Sequence, residues 1–111
     1  MTDNENNIVI SGHFKCSPHI IWQNDSIKAL AATIRFNFIE EILTVGYIKR
    51  ELEQSVHFTG KLMASLILVS NDDINEDSWV KVKGYLDNGN VVVQEVTYIN
   101  NNNKAVTLIN E

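Results

Sequence analysis

Ser78–Ile99, SWVKVKGYLDNGNVVVQEVTYI, decides the fold. Val80, Val82, Gly84 and Leu86 alternate with Trp79, Lys81, Lys83 and Tyr85, the period-2 pattern of a half-buried strand. Asp87-Asn88-Gly89-Asn90 supplies residues that tolerate positive φ, as a tight hairpin connection requires. Val91–Ile99 is β-branched and reads as the returning strand. The outward face of the first strand carries two lysines between two aromatic rings. Ammonium groups meet phosphates and flat rings meet bases, so this face suits a nucleic-acid strand as well as plain solvent.

The chain that surrounds this hairpin sets the limits. Its 111 residues, 44% hydrophobic and 21% charged, describe one globular domain with a modest core. Residues 1–7 (MTDNENN) are expected to form a flexible leader, and residues 8–111 a single domain. Cys16 is the only cysteine, which excludes an intrachain disulfide and favours a reducing, cytoplasmic setting. No apolar run nears the roughly 20 residues needed to cross a bilayer, so a soluble protein without a membrane partner is expected. A net charge of −5 argues against a duplex binder that works by charge alone. It leaves room for a single strand held by a local basic groove and stacking rings.

Further strands are read along the chain. Ile8–Lys15 (IVISGHFK) alternates, and its internal Gly12 marks a bulge or bend. Ser17-Pro18 ends or redirects it, His19–Trp22 resumes it, and Gln23–Ser26 is a turn. Ile27–Leu43 fits both a helical stripe and strand alternation. The strand is preferred through Asn37, because Thr-Ile-Arg-Phe-Asn-Phe suits a sheet. Ile42–Lys49 reads as a strand with a central glycine, and polar Lys49–Gln54 as a turn or hairpin tip, with Val56–Phe58 as its second arm. Thr59-Gly60 is a break. Leu62–Ser70 (LMASLILVS) is read as a buried strand, with a short buried helix as the alternative. Asn71–Asp77 forms an acidic loop, Asn100–Asn103 a turn, and Ala105–Ile109 a last strand. Short strands, turns and strand glycines predict a small all-β barrel or sandwich.

Two segments carry a family resemblance. NNIVISGHFKCSP (residues 6–18) resembles the opening strand of bacterial single-stranded DNA-binding proteins and of primosomal replication protein B. SWVKVKGYL with the valine-rich strand that follows resembles their penultimate and final barrel strands. The resemblance covers most of residues 6–99 in order, through short motifs that many oligonucleotide/oligosaccharide-binding (OB) barrels share. It implies a five-stranded OB barrel with an extended hairpin and little helix, assembled as a homodimer or tetramer. It also implies single-stranded DNA as the partner, in replication, repair or the replication of a mobile element, with proteins of those processes as further partners. The family's long Gly/Pro/Gln-rich tail has no counterpart here, so a stand-alone binding domain is the closer analogue. The family's tryptophan-rich middle motif is not reproduced between Glu40 and Met63, where the DNA-gripping hairpin belongs.

Catalysis has little to stand on. His13, His19 and His57 lack carboxylates or thiols at ligand spacing, so no metal or other cofactor is expected. Cys16 has no orienting acid or Gly-rich oxyanion turn near it in sequence, and Glu40-Glu41 and Asp72-Asp73 point to opposite faces of extended chain. A non-enzymatic binding protein is expected. The nucleic-acid-binding candidates are Trp79, Lys81, Lys83 and Tyr85 with Tyr47, Lys49 and Arg50. The competing expectation is an acidic OB-like protein–protein module, one subunit of a larger assembly, based on the net charge and on the acids at Asp72–Asp77.

Overall fold

A computed structural model describes residues 7–110, of residues 40 and 70–73 the backbone alone. Six strands and one helix follow in the order β1 (Asn7–Gln23), β2 (Ser26–Ile42), β3 (Gly46–Phe58), α1 (Gly60–Asp73), β4 (Trp79–Asp87), β5 (Asn90–Ile99) and β6 (Ala105–Ile109). The expected leader lies outside the described residues except for Asn7, which opens β1.

The sheet order is β3-β2-β1-β4-β5-β6, and a short parallel pairing of β3 with β5 closes it into a ring. The strands pair antiparallel everywhere else, so the all-β, OB-like expectation stands. Two hairpins turn as their residues dictate. Asn24 and Asn88 take φ of 50° and 53°, and Asp25 and Gly89 follow at 67° and 83°, the two positive φ values of a type I′ turn.

β1 is the strand that all others depend on. It pairs with β4 from Asn7 to His13 and with β2 from His13 to Gln23, so it changes neighbours at one residue. Gly12 sits at this exchange. A Cβ there would land on the Arg35 carbonyl oxygen, with the Phe36 Cβ 3.0 Å away. The register shows no bulge at Gly12, and the glycine answers instead to the close approach of β2. Pro18 does not end the strand. It is buried within the register shift between Cys16 and His19, where a missing N–H costs no ladder bond.

Two segments differ from expectation, and the expected acidic loop is shorter, since the backbone of Asn71–Asp73 still belongs to α1. Leu62–Ser70 is part of α1 and not a strand. Leu62 and Leu66, one helical turn apart, are fully buried against the ring, while Leu68 points to solvent. A continuous apolar run has no period of its own, so length and packing decide between the two structures. The helix N-terminus is closed from afar, the Lys61 N–H donating to Asn110 Oδ1 beyond the end of β6 (3.2 Å).

The second correction concerns Ile42–Lys49. It is not one strand with a glycine at its centre, because the chain turns at Leu43–Val45 and Gly46 takes φ +88°. Lys49–Gln54 is correspondingly not a turn but the middle of β3. Its polarity has a physical cause. Beyond Arg35, β2 is paired with β3 but no longer with β1, so Lys49–Leu52 belong to a two-stranded arm wetted on both faces. The molecule measures 51 × 39 × 26 Å, elongated as a projecting arm requires.

Ile10, Phe14, Leu30, Ile34, Val56, Phe58, Val80, Val82, Val91, Val96 and Tyr98 fill the ring interior, with Leu62, Leu66 and Ile74 from the helical side. The parallel closure rests on Val56 opposite Val91 and His57 opposite Val92. Burial, reinforced by the Lys28 ammonium and opposed by Asp87, holds His57 below the usual imidazole pKa. A lowered folded-state pKa favours the neutral ring, so its contribution is present above the unfolded value of 6.5 and is lost as the pH falls through the folded one. The melting temperature of the parent protein is expected to fall between about pH 7 and pH 5 more steeply than that of His57→Gln. Equal slopes in thermal melts would remove His57 from the account.

Candidate nucleic-acid interface

Residues paired across antiparallel strands share a face, so the register lays out the outer surface. One row crosses four strands: Glu53 of β3 opposite Arg35 of β2, Arg35 opposite His13 of β1, and His13 opposite Trp79 of β4. From this row the surface runs along two branches. On the β1–β4 branch, Ser11 and Lys81 are followed by Val9 and Lys83 and then by Asn7 and Tyr85. On the β2–β3 arm, Asn37 and Glu51 are followed by Ile39 and Lys49 and then by Glu41 and Tyr47. Gly12 and Arg35 mark the fork.

The seven candidates therefore do not form one cluster. Trp79, Lys81, Lys83 and Tyr85 line one branch, with Trp79 and Lys81 half-buried and Lys83 and Tyr85 exposed. Tyr47 and Lys49 lie near the end of the arm, on the continuation of the same outer face. Tyr47 is 72% exposed, which presents most of its ring to solvent. Arg50 lies on the opposite face of the arm, across from Phe38. Adjacent residues in a strand alternate, so Lys49 and Arg50 cannot both project with Tyr47.

Acids interleave with these cations. Lys83 Nζ lies 3.6 Å from Glu95 Oε2, and Lys15 Nζ lies 3.0 Å from Glu53 Oε1. Both are exposed pairs, of the kind worth about 0–1 kcal/mol, and a phosphate can compete for either lysine. The surface is locally zwitterionic, which reconciles a net charge of −5 with a lysine-bearing face.

Residues outside the sequence candidates join this surface. Arg35 and His13 stand at its centre, and Asn37 and Ile39 continue it along the arm. Strand alternation alone places Arg35 and His13 outward, but only the register brings them side by side. The arm also exposes Phe38, Leu43, Val45 and Leu52. The apolar tip was not foreseen, since the family's tryptophan-rich motif is missing from this stretch. Among the described residues no three His, Cys, Asp or Glu side chains converge as a metal site would need, and Cys16 is a half-buried free thiol. Among the described residues no helix is long and apolar enough to cross a membrane.

No protein-family model matches the sequence, and no curated protein matches it. Solved structures do resemble it. The single-stranded DNA-binding protein of Plasmodium falciparum, in complex with ssDNA, superposes with a TM-score of 0.58 at 15% identity, over 94% of this chain and 83% of that one. A deletion mutant of the single-stranded DNA-binding protein from Thermus aquaticus superposes with a TM-score of 0.66 at 10% identity, over 91% of this chain. This chain spans about half of the Thermus protein, 53% of its length. The ring of strands with its helix thus shares its overall fold, an all-β OB-like one, with these two single-stranded DNA-binding proteins.

Proposed function

We propose that the protein binds single-stranded DNA on the outer face that runs from Trp79–Tyr85 across the fork to the β2–β3 arm. The observation that carries this reading is the likeness of more than nine-tenths of the chain to single-stranded DNA-binding proteins, one of them in complex with ssDNA. The surface chemistry supports it. Tyr85 and Tyr47 offer stacking rings on the two branches, Trp79 a half-exposed one at the fork, and Lys81, Lys83 and Lys49 offer charges between them. Arg50 serves from the other face of the arm, where a strand wrapped around the hairpin reaches it. The role is binding without catalysis, in a reducing cytoplasm, wherever replication or repair leaves DNA single-stranded.

A homodimer completes the proposal. β1 pairs with β2 only from His13 onward, so among the described residues no strand lies on the edge of Ile8–Gly12 opposite β4. Val9 on this segment is exposed, and a second copy brings a matching edge. Light scattering that reports a monomer at micromolar concentration would remove this part.

The test of the whole is fluorescence anisotropy of labelled oligo-dT of about 30 nucleotides, ample for OB folds that each occupy about 4–16 nucleotides. Binding that weakens linearly on a log–log salt plot, with little affinity for duplex of equal length, is the expected result. No binding at low salt overturns it. A second reading, a protein-binding module, draws on the acids that already neutralise Lys15 and Lys83. It takes over if a defined protein partner binds this face while oligo-dT does not.

A further inference from the structure

At the fork a small polar cleft of about 130 Å³ is lined by His13, Arg35, Phe36, Asn37, Glu51 and Asp77. Arg35 is central to it, and its bonding is incomplete. Its buried Nε has no hydrogen-bond partner, although a guanidinium carries five donors. Its Nη2 lies 3.7 Å from Asp77 Oδ1, within ion-pair range and beyond a hydrogen bond. The guanidinium is therefore paired with Asp77 by charge and not by a hydrogen bond, and with Nε closed to solvent its outer nitrogens are the ones that a ligand can reach.

Asp77 is held in that position by its backbone. It takes φ +72°, its N–H donates to the Phe14 carbonyl (2.8 Å), and the Phe14 N–H donates to the Ser78 carbonyl (3.0 Å). The main chain is thus clipped to β1, while the carboxylate itself is 76% exposed and free to swing out. Glu51 supplies a second acid to the cleft, so without a ligand the single charge of Arg35 is more than balanced, and a phosphate must displace an acid to enter.

We infer that the Arg35 cleft is a phosphodiester subsite whose affinity is set by Asp77, a carboxylate that occupies the phosphate's place until the strand displaces it. This inference rests on the single-strand reading above and adds a named anchor and a built-in competitor to it. A phosphate diester offers two oxygens to the planar fork, which the loosely placed carboxylate does not satisfy. The cleft lies between the two branches, so one diester held there leaves bases on either side free to reach Tyr85 or Tyr47. Competition keeps the anchor weak, and a weak anchor lets the strand exchange.

The experiment follows the Arg35 Nε–Hε resonance of the full chain by NMR, titrated with oligo-dT and, separately, with inorganic phosphate. Asp77→Asn is the informative variant, because asparagine also tolerates positive φ and the backbone stays in place. Glu76→Gln, an equal charge change on the neighbouring exposed residue, is its control. We expect the Arg35 resonance to move with both ligands. Asp77→Asn is expected to bind oligo-dT about fivefold more tightly, the loss of one exposed ion pair, with Glu76→Gln near the parent. Arg35→Gln is expected to bind about tenfold more weakly and to lower the salt slope by about 0.7.

The outcomes separate cleanly. Tight oligo-dT binding with an unmoved Arg35 resonance overturns the subsite and leaves the single-strand reading standing. Equal gains from Asp77→Asn and Glu76→Gln overturn the competitor role. A resonance that moves with phosphate in a protein that ignores oligo-dT upholds an anion subsite and removes the single-strand reading. A resonance that responds to neither ligand, without oligo-dT binding, removes both.

Discussion

A Gly12→Ala variant is expected to melt more than about 10 °C below the parent protein or to fail to accumulate as a folded species. The added carbon would coincide with the Arg35 carbonyl oxygen and crowd Arg35 C at 2.9 Å and Phe36 Cβ at 3.0 Å. Overpacking a core costs about 1–3 kcal/mol where side chains can shift. Here the obstacle is backbone, and it belongs to the strand that β1 is pairing with at the next residue, His13 opposite Arg35. Relief requires β2 to retreat from β1, which breaks the ladder at the fork. A cost of at least about 3 kcal/mol is a large part of a total stability of about 5–15 kcal/mol, and each kcal/mol shifts the midpoint by about 4 °C or more in a chain of this size. Gly46→Ala is the comparison. Nothing lies within 4 Å of a Cβ at Gly46, so its only cost is the positive φ, about 1 kcal/mol. Thermal melts that place the two variants within about 2 °C of each other would overturn this ranking.

The largest functional effect is expected from removing one ring on each branch, Tyr47→Ala together with Tyr85→Ala. Stacking of a base on an aromatic side chain is worth about 1–3 kcal/mol by alanine substitution. The two residues sit far apart on the register, one beyond the fork on the arm and one at the other end of the β1–β4 branch. Their effects should therefore add, to about 2–6 kcal/mol, a loss of affinity of about 30-fold or more. Both side chains are exposed, Tyr47 mostly and Tyr85 at 39%, so the melting temperature should stay near the parent's. The single variants locate the strand. Equal losses mean that it spans the fork, and a loss confined to Tyr85 confines it to the β1–β4 branch. Unchanged anisotropy titrations in the double variant would refute stacking on these rings.

Much of the fold was legible because the sequence carries local signals for it. Trp79–Tyr85 alternates cleanly and Asn88-Gly89 names its own turn, so β4 and β5 were readable to within one residue at the hairpin. Gly12 was readable as a special position, though not as the contact with Arg35 that makes it so. Leu62–Ser70 misled because a run that is apolar throughout fits either element until its neighbours choose, and Leu68 shows which side was left over. Lys49–Gln54 misled for the opposite reason, since a strand exposed on both faces has the composition of a loop.

The site divides in the same way. The face of β4 followed from alternation, whereas β3 was not read as one strand, and alternation along it separates Arg50 from Tyr47 and Lys49. Arg35, His13 and Asp77 come from three separate stretches, and a single sequence carries no statement of which strand lies beside which. Their meeting is a fact of register, visible only when β1 is seen to exchange β4 for β2.

That exchange has a meaning for how the chain assembles. β1, β2 and β3 form one meander of sequence neighbours, and β4, β5 and β6 form another, with α1 between them. Most ladder bonds close short loops, which form early and at small entropic cost. Among the described residues the two meanders share ladders only along β1–β4 and at the two residue pairs of the β3–β5 closure. The chain thus defers its most distant pairings to one docking of two prepared halves, along a ladder that carries two glycines, Gly12 and Gly84, neither with room for a side chain.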